Sequence, residues 1–334
     1  PYVGVLITSI LENANHQNYY DFIILTQGLN EANKQKLYKT ISSYSKVSLR
    51  FINLSPIVNK YNLKVKNYIQ VQTWFRLFAP YVLNEYSKII YLDSDIVVQG
   101  DISDLYAKDL KNNYIGGTKD IRVIASYCTF PRRRSYVDEK LKIKDPYHYF
   151  QAGSILMNLK AIRETYSLDH LMEIACSHPW ELLDQDMMNS LFQGRITFID
   201  QKWDVVADYK DRCKNWINNL PQHIYKEHIE SLKNPFIIHF GGPYKPWTTP
   251  DIDYNEVFWI YARKTIFYEY IILRSVIEKD KSVRNEIHSN NGRVVIFFKK
   301  IINKLIPKGS KRREFLKRLF PEGTKRRKLL IKFK

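Results

Sequence analysis

The stretch "KIIYLDSDIVVQGDISDLY", residues 88–106, runs from an apolar segment into two aspartates separated by one serine. The apolar residues before the pair are typical of a buried β-strand. Successive side chains of an extended chain point to opposite faces, so Asp93 and Asp95 would share one side while Ser94 faces the other. Two carboxylates held this close repel each other unless a positive charge lies between them. The pattern therefore indicates a metal ion as that charge, although aspartates are also common in turns after strands.

Strand-like and helical segments alternate along most of the chain. Helical spacing is predicted for residues 31–42 and 71–83. The apolar runs that predict strands are "DFIILTQG" (21–28), "VSLRFINLS" (47–55), "KIIYLDSD" (88–95), "YIGGTKD" (114–120), "GSILMNL" (153–159), "RITFID" (195–200) and "FIIHF" (236–240). This alternation predicts an α/β fold with a mainly parallel sheet, helices on both of its faces and right-handed crossovers. Ligands of such sheets bind beyond the carboxyl ends of the strands, where the aspartate pair would lie.

Composition excludes several classes of protein. With 334 residues, of which 45% are hydrophobic, the chain can bury a sizeable core. Its three cysteines form no Cys-x-x-Cys pair, which argues against a disulfide framework or a zinc ribbon and favours a reducing compartment. No apolar run approaches the roughly 18 to 20 residues that are needed to span a bilayer.

Positive charge is concentrated at the C-terminal end. Residues 293–334 carry 16 Lys and Arg against two acids, while the total net charge is +18. Two 14-residue units, 307–320 and 321–334, repeat a Pro-x-Gly-Ser/Thr start, a Lys-Arg-Arg run and apolar residues at helical spacing. These units are predicted to be amphipathic helices that meet an anionic membrane surface. The alternative is a solvated basic tail or a subunit contact, and no specific nucleic acid is expected as a partner.

A second polar motif is "NPFIIHFGGPYKPW", residues 234–247. His239 ends a predicted strand, the two glycines after Phe240 allow a ligand to approach the backbone closely, and Lys245 adds a positive charge. A lone histidine of this kind is more often part of a core. Together with the aspartate pair, however, it completes a mixed ligand set that suits octahedral Mn²⁺ or Mg²⁺.

A third motif is "LLDQDMMNSLF", residues 182–192, in which a glutamine lies between two acids. Asp184 is predicted to be a helix N-cap, with Gln185 and Asp186 in the first turn. The start of a helix accounts for the two acids but not for the glutamine. A ligand with polar hydroxyl groups would account for the glutamine as well. Residues 120–149 have weak periodicity, so they are expected either to cover a site or to form a solvated surface excursion.

Four blocks of the sequence, in their order and spacing, resemble the family 8 retaining glycosyltransferases. The blocks are "YLDSDIVVQGDISDLY" (91–106), "YFQAGSILMNLKAIRE" (149–164), "LLDQDMMNSLFQGRITFIDQKWDVV" (182–206) and "IIHFGGPYKPW" (237–247). That family includes bacterial galactosyl- and glucosyltransferases of lipopolysaccharide, capsule or cell-wall glycans, and also the glycogenins. The resemblance covers about residues 1–250 and implies the GT-A fold, a UDP-sugar donor and a manganese ion, for which Mg²⁺ is an alternative.

The resemblance also implies a metal site and residues around the transferred sugar. Asp93 and Asp95 match the metal-binding acidic motif, and His239 matches the third protein ligand. Asp184 and Gln185 match the residues nearest the transferred sugar. Gln185 lies at the position proposed in the family to help stabilise the oxocarbenium-like transition state.

The remaining implied roles concern the donor. Gly242 and Lys245 match contacts to the donor diphosphate, and Arg76 matches an arginine that helps to hold the donor. Ala152 and Gly153 match the backbone beneath the sugar. Ser94 lies between the two acids and is also assigned to the donor site.

The chain departs from the family pattern at two places. Gln151 stands where family members commonly have asparagine, which bears on the choice of donor sugar. The family's first strand, which grips the uridine, should precede the amphipathic helix predicted for residues 1–14, yet the sequence opens with that helix. We therefore expect a GT-A catalytic domain over residues 1–264 that lacks its first strand, followed by a helical, basic extension over residues 265–334.

The resemblance implies a metal-dependent retaining transferase that moves galactose or glucose from a UDP-sugar to a glycan or lipid-linked acceptor. The expected setting is bacterial surface-polysaccharide synthesis at the cytoplasmic face of the membrane. Retention would proceed by same-face attack of the acceptor hydroxyl, with Asp184 as a weaker candidate for a double displacement. The alternatives are a glycogenin-like or protein-directed glucosyltransferase, and a catalytically inactive adaptor that binds membrane or nucleic acid.

Overall fold

The computed structural model describes residues 1–65 and 69–277. The chain divides into a compact unit of residues 1–272 and a second unit of residues 273–334. The basic repeat predicted for the C-terminal end lies outside the described residues. Within the described ranges, no helix is long and apolar enough to cross a membrane.

The described residues form strands and helices in alternation, as the sequence predicts. The strands are β1 (Tyr20–Thr26), β2 (Val47–Asn53), β3 (Lys88–Leu92), β4 (Ile96–Val98), β5 (Ile115–Lys119), β6 (Phe150–Asn158), β7 (Ile196–Phe198), β8 (Val205–Val206) and β9 (Ile237–His239). The α-helices are α1 (Tyr2–Glu12), α2 (Glu31–Ile41), α3 (Ser55–Val58), α4 (Phe75–Val82), α5 (Ile102–Tyr106), α6 (Ile121–Thr129), α7 (Pro131–Ser135), α8 (Leu159–Thr165), α9 (Leu168–Ser177), α10 (Asp184–Leu191), α11 (Lys214–Ile217), α12 (Gln222–Lys233) and α13 (Asn255–Ala262). Shorter helical turns cover Val71–Trp74, Tyr136–Lys140, Pro146–His148 and Gln201–Trp203.

The strands pair in three groups, ordered β1-β2, β3-β6-β5-β7 and β4-β9-β8. The predicted α/β fold is confirmed, but the strand directions are mixed rather than mainly parallel. The pairs β1–β2, β5–β7 and β8–β9 are parallel, whereas β6 runs antiparallel to both β3 and β5, and β4 runs antiparallel to β9. The connection from β5 to β6 returns without a crossover to the same end of the sheet, which makes that pair antiparallel.

The turn between β3 and β4 carries the chain from one sheet to another. β3 ends at Leu92 and pairs with β6, while β4 begins at Ile96 and pairs with β9. The Asp-Ser-Asp segment is the link between them, so its two acids lie where the two sheets meet. This is the strand end at which the sequence places a ligand site.

A cavity of about 2010 Å³ opens beside this turn. Residues of α1, β1 and β3 line one part of it, and the motifs singled out in the sequence line another. Among the described strands, β1 pairs only with β2 and β3 pairs only with β6. The suggestion that a first strand is missing stays a prediction.

Of the three buried apolar clusters, two bear directly on the site and on the predicted domain boundary. The larger one joins α4, β6 and α10, and its fully buried side chains include Trp74, Phe78 and Phe150. The other joins α1, β9 and α13, and it includes Phe267 and Ile271 from the region predicted to begin the extension. These residues therefore pack as part of the compact unit of residues 1–272.

Residues 120–149, whose periodicity is weak, are mostly helical in the structure. They contain α6, α7 and two further helical turns, and Ile124, Val137 and Leu141 are buried in the larger cluster. The segment is therefore not a solvated excursion. Phe130 and Arg133 line the cavity, in agreement with the expectation that the segment covers a site.

The packing of Phe267 can be tested by substitution. Phe267 is 2% exposed and lies against Gly4 of α1, where any β-carbon would overlap its ring. Phe267→Ala is expected to lower the free energy of unfolding by about 3 to 5 kcal/mol, because it leaves a cavity in the core. Urea denaturation measures this change. Tyr270→Ala, at a side chain that is 49% exposed, is the control and should change stability by no more than about 0.5 kcal/mol. Equal effects of the two substitutions would contradict the packing described here.

Candidate active site

Backbone hydrogen bonds fix the aspartate pair on both sides. The Asp93 amide donates to the carbonyl of Gly153 on β6 at 2.8 Å, and the Asp95 carbonyl accepts from the amide of Phe240 at 2.9 Å. The ladder between β4 and β9 places Ile96 opposite His239. Because both neighbouring strands are buried, the acids and the imidazole are held in one place by rigid elements.

The three predicted metal ligands lie together. His239 Nε2 is 3.5 Å from Asp95 Oδ1 and 3.9 Å from Asp93 Oδ2. One ligand atom from each of the three residues lies within 4.8 Å of the others. In an octahedral Mg²⁺-type site with bonds of about 2.1 Å, neighbouring ligands are about 3 Å apart and opposite ligands about 4 Å apart. The donor set and its spacing therefore fit a divalent metal ion.

The charges in this cluster perturb one another. Burial alone would raise the pKa of Asp95, but hydrogen bonding and charge from His239 and Lys245 outweigh it and hold the pKa below its ordinary value. Burial raises the pKa of Asp93 despite the opposing charge of Arg76. Burial alone would lower the pKa of His239, yet the neighbouring carboxylates raise it to about 10. The two acids thus share positive partners, as the repulsion argument requires.

The Lys245 ammonium lies beside the acid pair. It forms an ion pair with Asp95 and donates to the carbonyl of Phe240 at 2.7 Å. Gly242, between these residues, has a φ of 100°, a backbone conformation that residues other than glycine rarely adopt. The turn after β9 therefore folds back and brings the lysine to the cluster.

Arg76 connects the acid pair to α10. Its guanidinium is 3% exposed, lies 2.8 Å from Asp93 and 2.9 Å from Asp184, and donates to the carbonyl of Ala152. Burial alone would lower the pKa of Arg76, but Asp184 and Asp93 outweigh it and raise the pKa. The ring of Tyr91 lies 4.7 Å from the guanidinium carbon. A buried arginine with two carboxylate partners fixes the distance between two parts of the site.

Asp184 is not the N-cap predicted from the sequence. It is the first residue of α10, after Leu183 at a φ of 50°, and it accepts a hydrogen bond from Thr73 as well as pairing with Arg76. Burial raises its pKa to about 6, although Arg76 opposes the rise. The free amide of Leu182 is instead bound by Asp186, at 2.7 Å. The N-cap position is instead held by Leu183, which makes no side-chain cap hydrogen bond, and Asp184 is engaged by the arginine and the threonine.

Gln185 contacts Ala152, part of the backbone that is predicted to lie beneath the transferred sugar. Its Oε1 accepts from the amide of Ala152 at 2.9 Å, and its Nε2 donates to Asp120 Oδ2 at 2.8 Å. Gln151, the residue that departs from the family pattern, accepts from the Gly153 amide at 2.9 Å. The residue types that the sequence grouped around the sugar are therefore adjacent in space.

Sequence reasoning missed three polar residues of this region. Asp120 caps α6 and binds Gln185, Thr73 binds Asp184, and Asp204 lies 3.2 Å from His239 Nδ1. Asp120 stands at the end of a predicted strand, which was a usable signal. Thr73 and Asp204 carried no signal of their own, because their partners lie far away in the sequence. The exposed Ser94 also lines the cavity, and its role in the donor site stays a prediction.

Solved GT-A glycosyltransferases share this mixed α/β architecture. The bifunctional glycosyltransferase WbbM matches with a TM-score of 0.72 at 28% identity, over 82% of this chain and 50% of the WbbM chain. The galactosyltransferase LgtC matches with a TM-score of 0.64 at 21% identity, over 79% of this chain and 92% of its own. This chain thus spans half the length of WbbM.

The family model of glycosyl transferase family 8 matches residues 1–250. The protein belongs to this family. Among curated proteins, the lipopolysaccharide 1,2-glucosyltransferase of Escherichia coli (strain K12) is 28% identical over 271 residues, which cover 76% of this chain and 72% of that relative. Family membership and these relatives support a glycosyltransferase role, and the cluster is compatible with a divalent metal ion.

The cluster predicts that Mn²⁺ stabilises the fold. At a concentration of about 100 times Kd, an ion that binds only the folded state adds about 2.7 kcal/mol to the free energy of unfolding. The melting temperature of the wild type, followed by tryptophan fluorescence, should therefore rise with Mn²⁺. Asp95→Asn should lose this rise, because it removes a ligand charge. Asp109→Asn removes an exposed carboxylate that lies outside the cavity lining and should keep it. An undiminished rise in Asp95→Asn would contradict the site.

Proposed function

We propose that this protein is a retaining glycosyltransferase that moves a hexose, galactose or glucose, from a UDP-sugar to a glycan or lipid-linked acceptor in bacterial surface-polysaccharide synthesis. The observation that carries the proposal is the meeting of Asp93, Asp95 and His239 beside Lys245, at the mouth of a large cavity. A diphosphate donor needs positive charge where its leaving group departs, and this cluster supplies both a cation and a metal site. The similarity to a lipopolysaccharide glucosyltransferase supports the acceptor class.

The proposed chemistry follows from the leaving group. A divalent ion, Mn²⁺ or Mg²⁺, held by Asp93, Asp95 and His239 would supply Lewis-acid stabilisation of the negative charge on UDP. Lys245 adds a second positive charge, since its ammonium already lies at the acid pair. Gly242 leaves its backbone open to phosphate oxygens. Ser94, exposed between the acids, completes this side of the donor site.

Arg76 is buried, and it orients the acid pair and the backbone that we place beneath the sugar. It holds Asp93 and Asp184 at fixed positions and binds the carbonyl of Ala152 from below. Gln185 is held at both ends of its amide, so it presents a fixed dipole next to Ala152 and Gly153. Preorganised dipoles of this kind stabilise charge that develops in a transition state.

The structure favours same-face attack over double displacement. Asp184 is 1% exposed, and its carboxylate is engaged by Thr73 and Arg76. A carboxylate nucleophile must reach the sugar carbon, which this one could do only after losing both partners. We therefore assign Asp184 to positioning, and the acceptor hydroxyl to direct attack on the side from which UDP leaves.

We assign the acceptor to the part of the cavity formed by residues 130–133 and α11. Phe130 and Trp216 line it, with ring centroids 5.0 Å apart at nearly right angles. Arg132 and Arg133 line it too, and both pair with Glu181, at 3.3 and 3.0 Å. Aromatic walls with a few polar groups are typical of sites for small organic ligands, including sugar rings.

We further propose action at the cytoplasmic face of the membrane. The support is the composition of residues 293–334, whose 16 basic residues against two acids would attract anionic lipid. A lipid-linked acceptor would be presented at that surface. The structure of this segment lies outside the described residues, so its role rests on the sequence alone.

The activity predicts metal-dependent release of UDP. Purified protein should release UDP from UDP-glucose or UDP-galactose with Mn²⁺, and a chelator should stop the release. Asp95→Ala should lower the rate by about 10²-fold or more, as when one stabilising group is removed from a charged transition state. Asp109→Asn is the matched control and should retain wild-type turnover. Full turnover in chelator, or in Asp95→Ala, would contradict the proposal, and sugar bound to the protein itself would favour the glycogenin-like alternative.

The acceptor assignment predicts a separable effect of Trp216. With an acceptor oligosaccharide of the lipopolysaccharide core, Trp216→Ala should raise the acceptor KM by about tenfold, as expected when roughly 1.4 kcal/mol of binding is lost. The KM for the UDP-sugar should stay unchanged. Tyr147→Ala is the control, since that exposed ring lies outside the cavity lining. A change in donor KM with constant acceptor KM would place Trp216 in the donor site instead.

A further inference from the structure

His239 has a second partner, which neither the sequence motifs nor the ion site explains. Asp204 Oδ1 lies 3.2 Å from His239 Nδ1, on the opposite side of the ring from the acid pair. Asp204 is 1% exposed. A buried carboxylate is costly unless it has a specific partner, and among the described side chains this imidazole is the one to which it is hydrogen-bonded.

The backbone fixes this carboxylate relative to the imidazole. Asp204 follows the turn Gln201–Trp203, and its amide donates to the Gln201 carbonyl. Strand β8 starts at the next residue and pairs in parallel with β9, so that Val206 lies opposite His239. The ladder therefore sets the separation of Asp204 and His239, and side-chain freedom contributes little to it.

Two glycines, Gly153 and Gly241, lie against the imidazole. A β-carbon at Gly153 would lie 2.5 Å from Nδ1, and one at Gly241 would lie 3.2 Å from Nε2. The ring thus fits between a buried carboxylate and two positions without side chains. Tilting or rotation of the ring would lose the Asp204 contact.

We propose that Asp204 is a positioning residue that selects the tautomer and orientation of His239 for metal binding. A carboxylate at Nδ1 keeps a proton on that nitrogen, so Nε2 is the nitrogen that would bind an ion, and it is directed at the side where Asp93 and Asp95 lie. It also increases the basicity of the imidazole ligand. Asp204 does not touch the ion or the substrate in this account.

This inference rests on the proposed function, because it assumes that His239 binds a metal ion. It adds a residue outside the ligand set, and it makes a claim about ion affinity that can be measured without turnover. Carboxylate partners of metal-binding histidines typically change metal affinity by about 10- to 100-fold when they are replaced.

The test is a titration with Mn²⁺ alone, in which electron paramagnetic resonance counts the free ion. Asp204→Ala should weaken Mn²⁺ binding by about 10- to 100-fold. Asp204→Asn should weaken it less, because the amide oxygen still accepts from Nδ1 but lacks the charge. Asp200→Asn is the matched control, since Asp200 is an exposed cap of the same turn and does not contact His239. It should bind Mn²⁺ as tightly as the wild type.

The outcomes separate the two claims. Weak binding in both Asp204 variants, with metal-free melting temperatures within the range of Asp200→Asn, supports a positioning role over a merely structural one. If Asp204→Ala does not fold, Asp204→Asn decides alone. Wild-type affinity in Asp204→Asn and in any folded Asp204→Ala overturns the inference and leaves the metal site intact. Absence of Mn²⁺ binding in the wild type overturns the metal site itself, and the inference with it.

Discussion

The structure depends on one electrostatic constraint: two carboxylates are held together at the turn where the chain leaves one sheet for another. Asp93 and Asp95 cannot separate, because their backbones are bonded to β6 and to the segment after β9. The surroundings answer this repulsion with two cationic groups, Arg76 and Lys245, and with the imidazole of His239. A metal site results from the same arrangement, because two acids and an imidazole converge on one small volume.

The cationic side chains at the acid pair come from distant parts of the sequence, and each of these parts also has a structural role. Arg76 comes from α4 and joins the acid pair to α10, so the sugar side and the phosphate side of the proposed donor site are coupled through one buried guanidinium. Lys245 comes from the turn after β9, where the positive φ of Gly242 sets the path of the chain. Since breaking one buried ion pair typically costs about 3 to 5 kcal/mol, the site and the fold cannot easily vary independently.

Local patterns in the sequence predicted much of the fold. Apolar runs and helical spacing located seven of the nine described strands, all except the short β4 and β8, together with α1, α2 and α4. The acid pair and His239 stood out because each follows an apolar run. The same patterns could not give the strand directions. β6 pairs with strands on both sides, and it follows a connection of about 30 residues whose helices the sequence patterns did not reveal. They also placed the cap of α10 on Asp184, whereas the N-cap residue is Leu183 and Asp184 begins the helix. No local pattern in the sequence indicated Asp204, because only the ladder of β8 and β9 brings it to the imidazole.

The central claim is that Asp93, Asp95 and His239 bind one divalent ion, and a crystal structure with Mn²⁺ and UDP tests it most directly. An anomalous difference peak is expected, with oxygen or nitrogen atoms of all three residues at about 2.0 to 2.3 Å and with UDP oxygens in the remaining positions around the ion. Bound UDP with a manganese peak elsewhere, or with the His239 imidazole turned away from the ion, would contradict the claim.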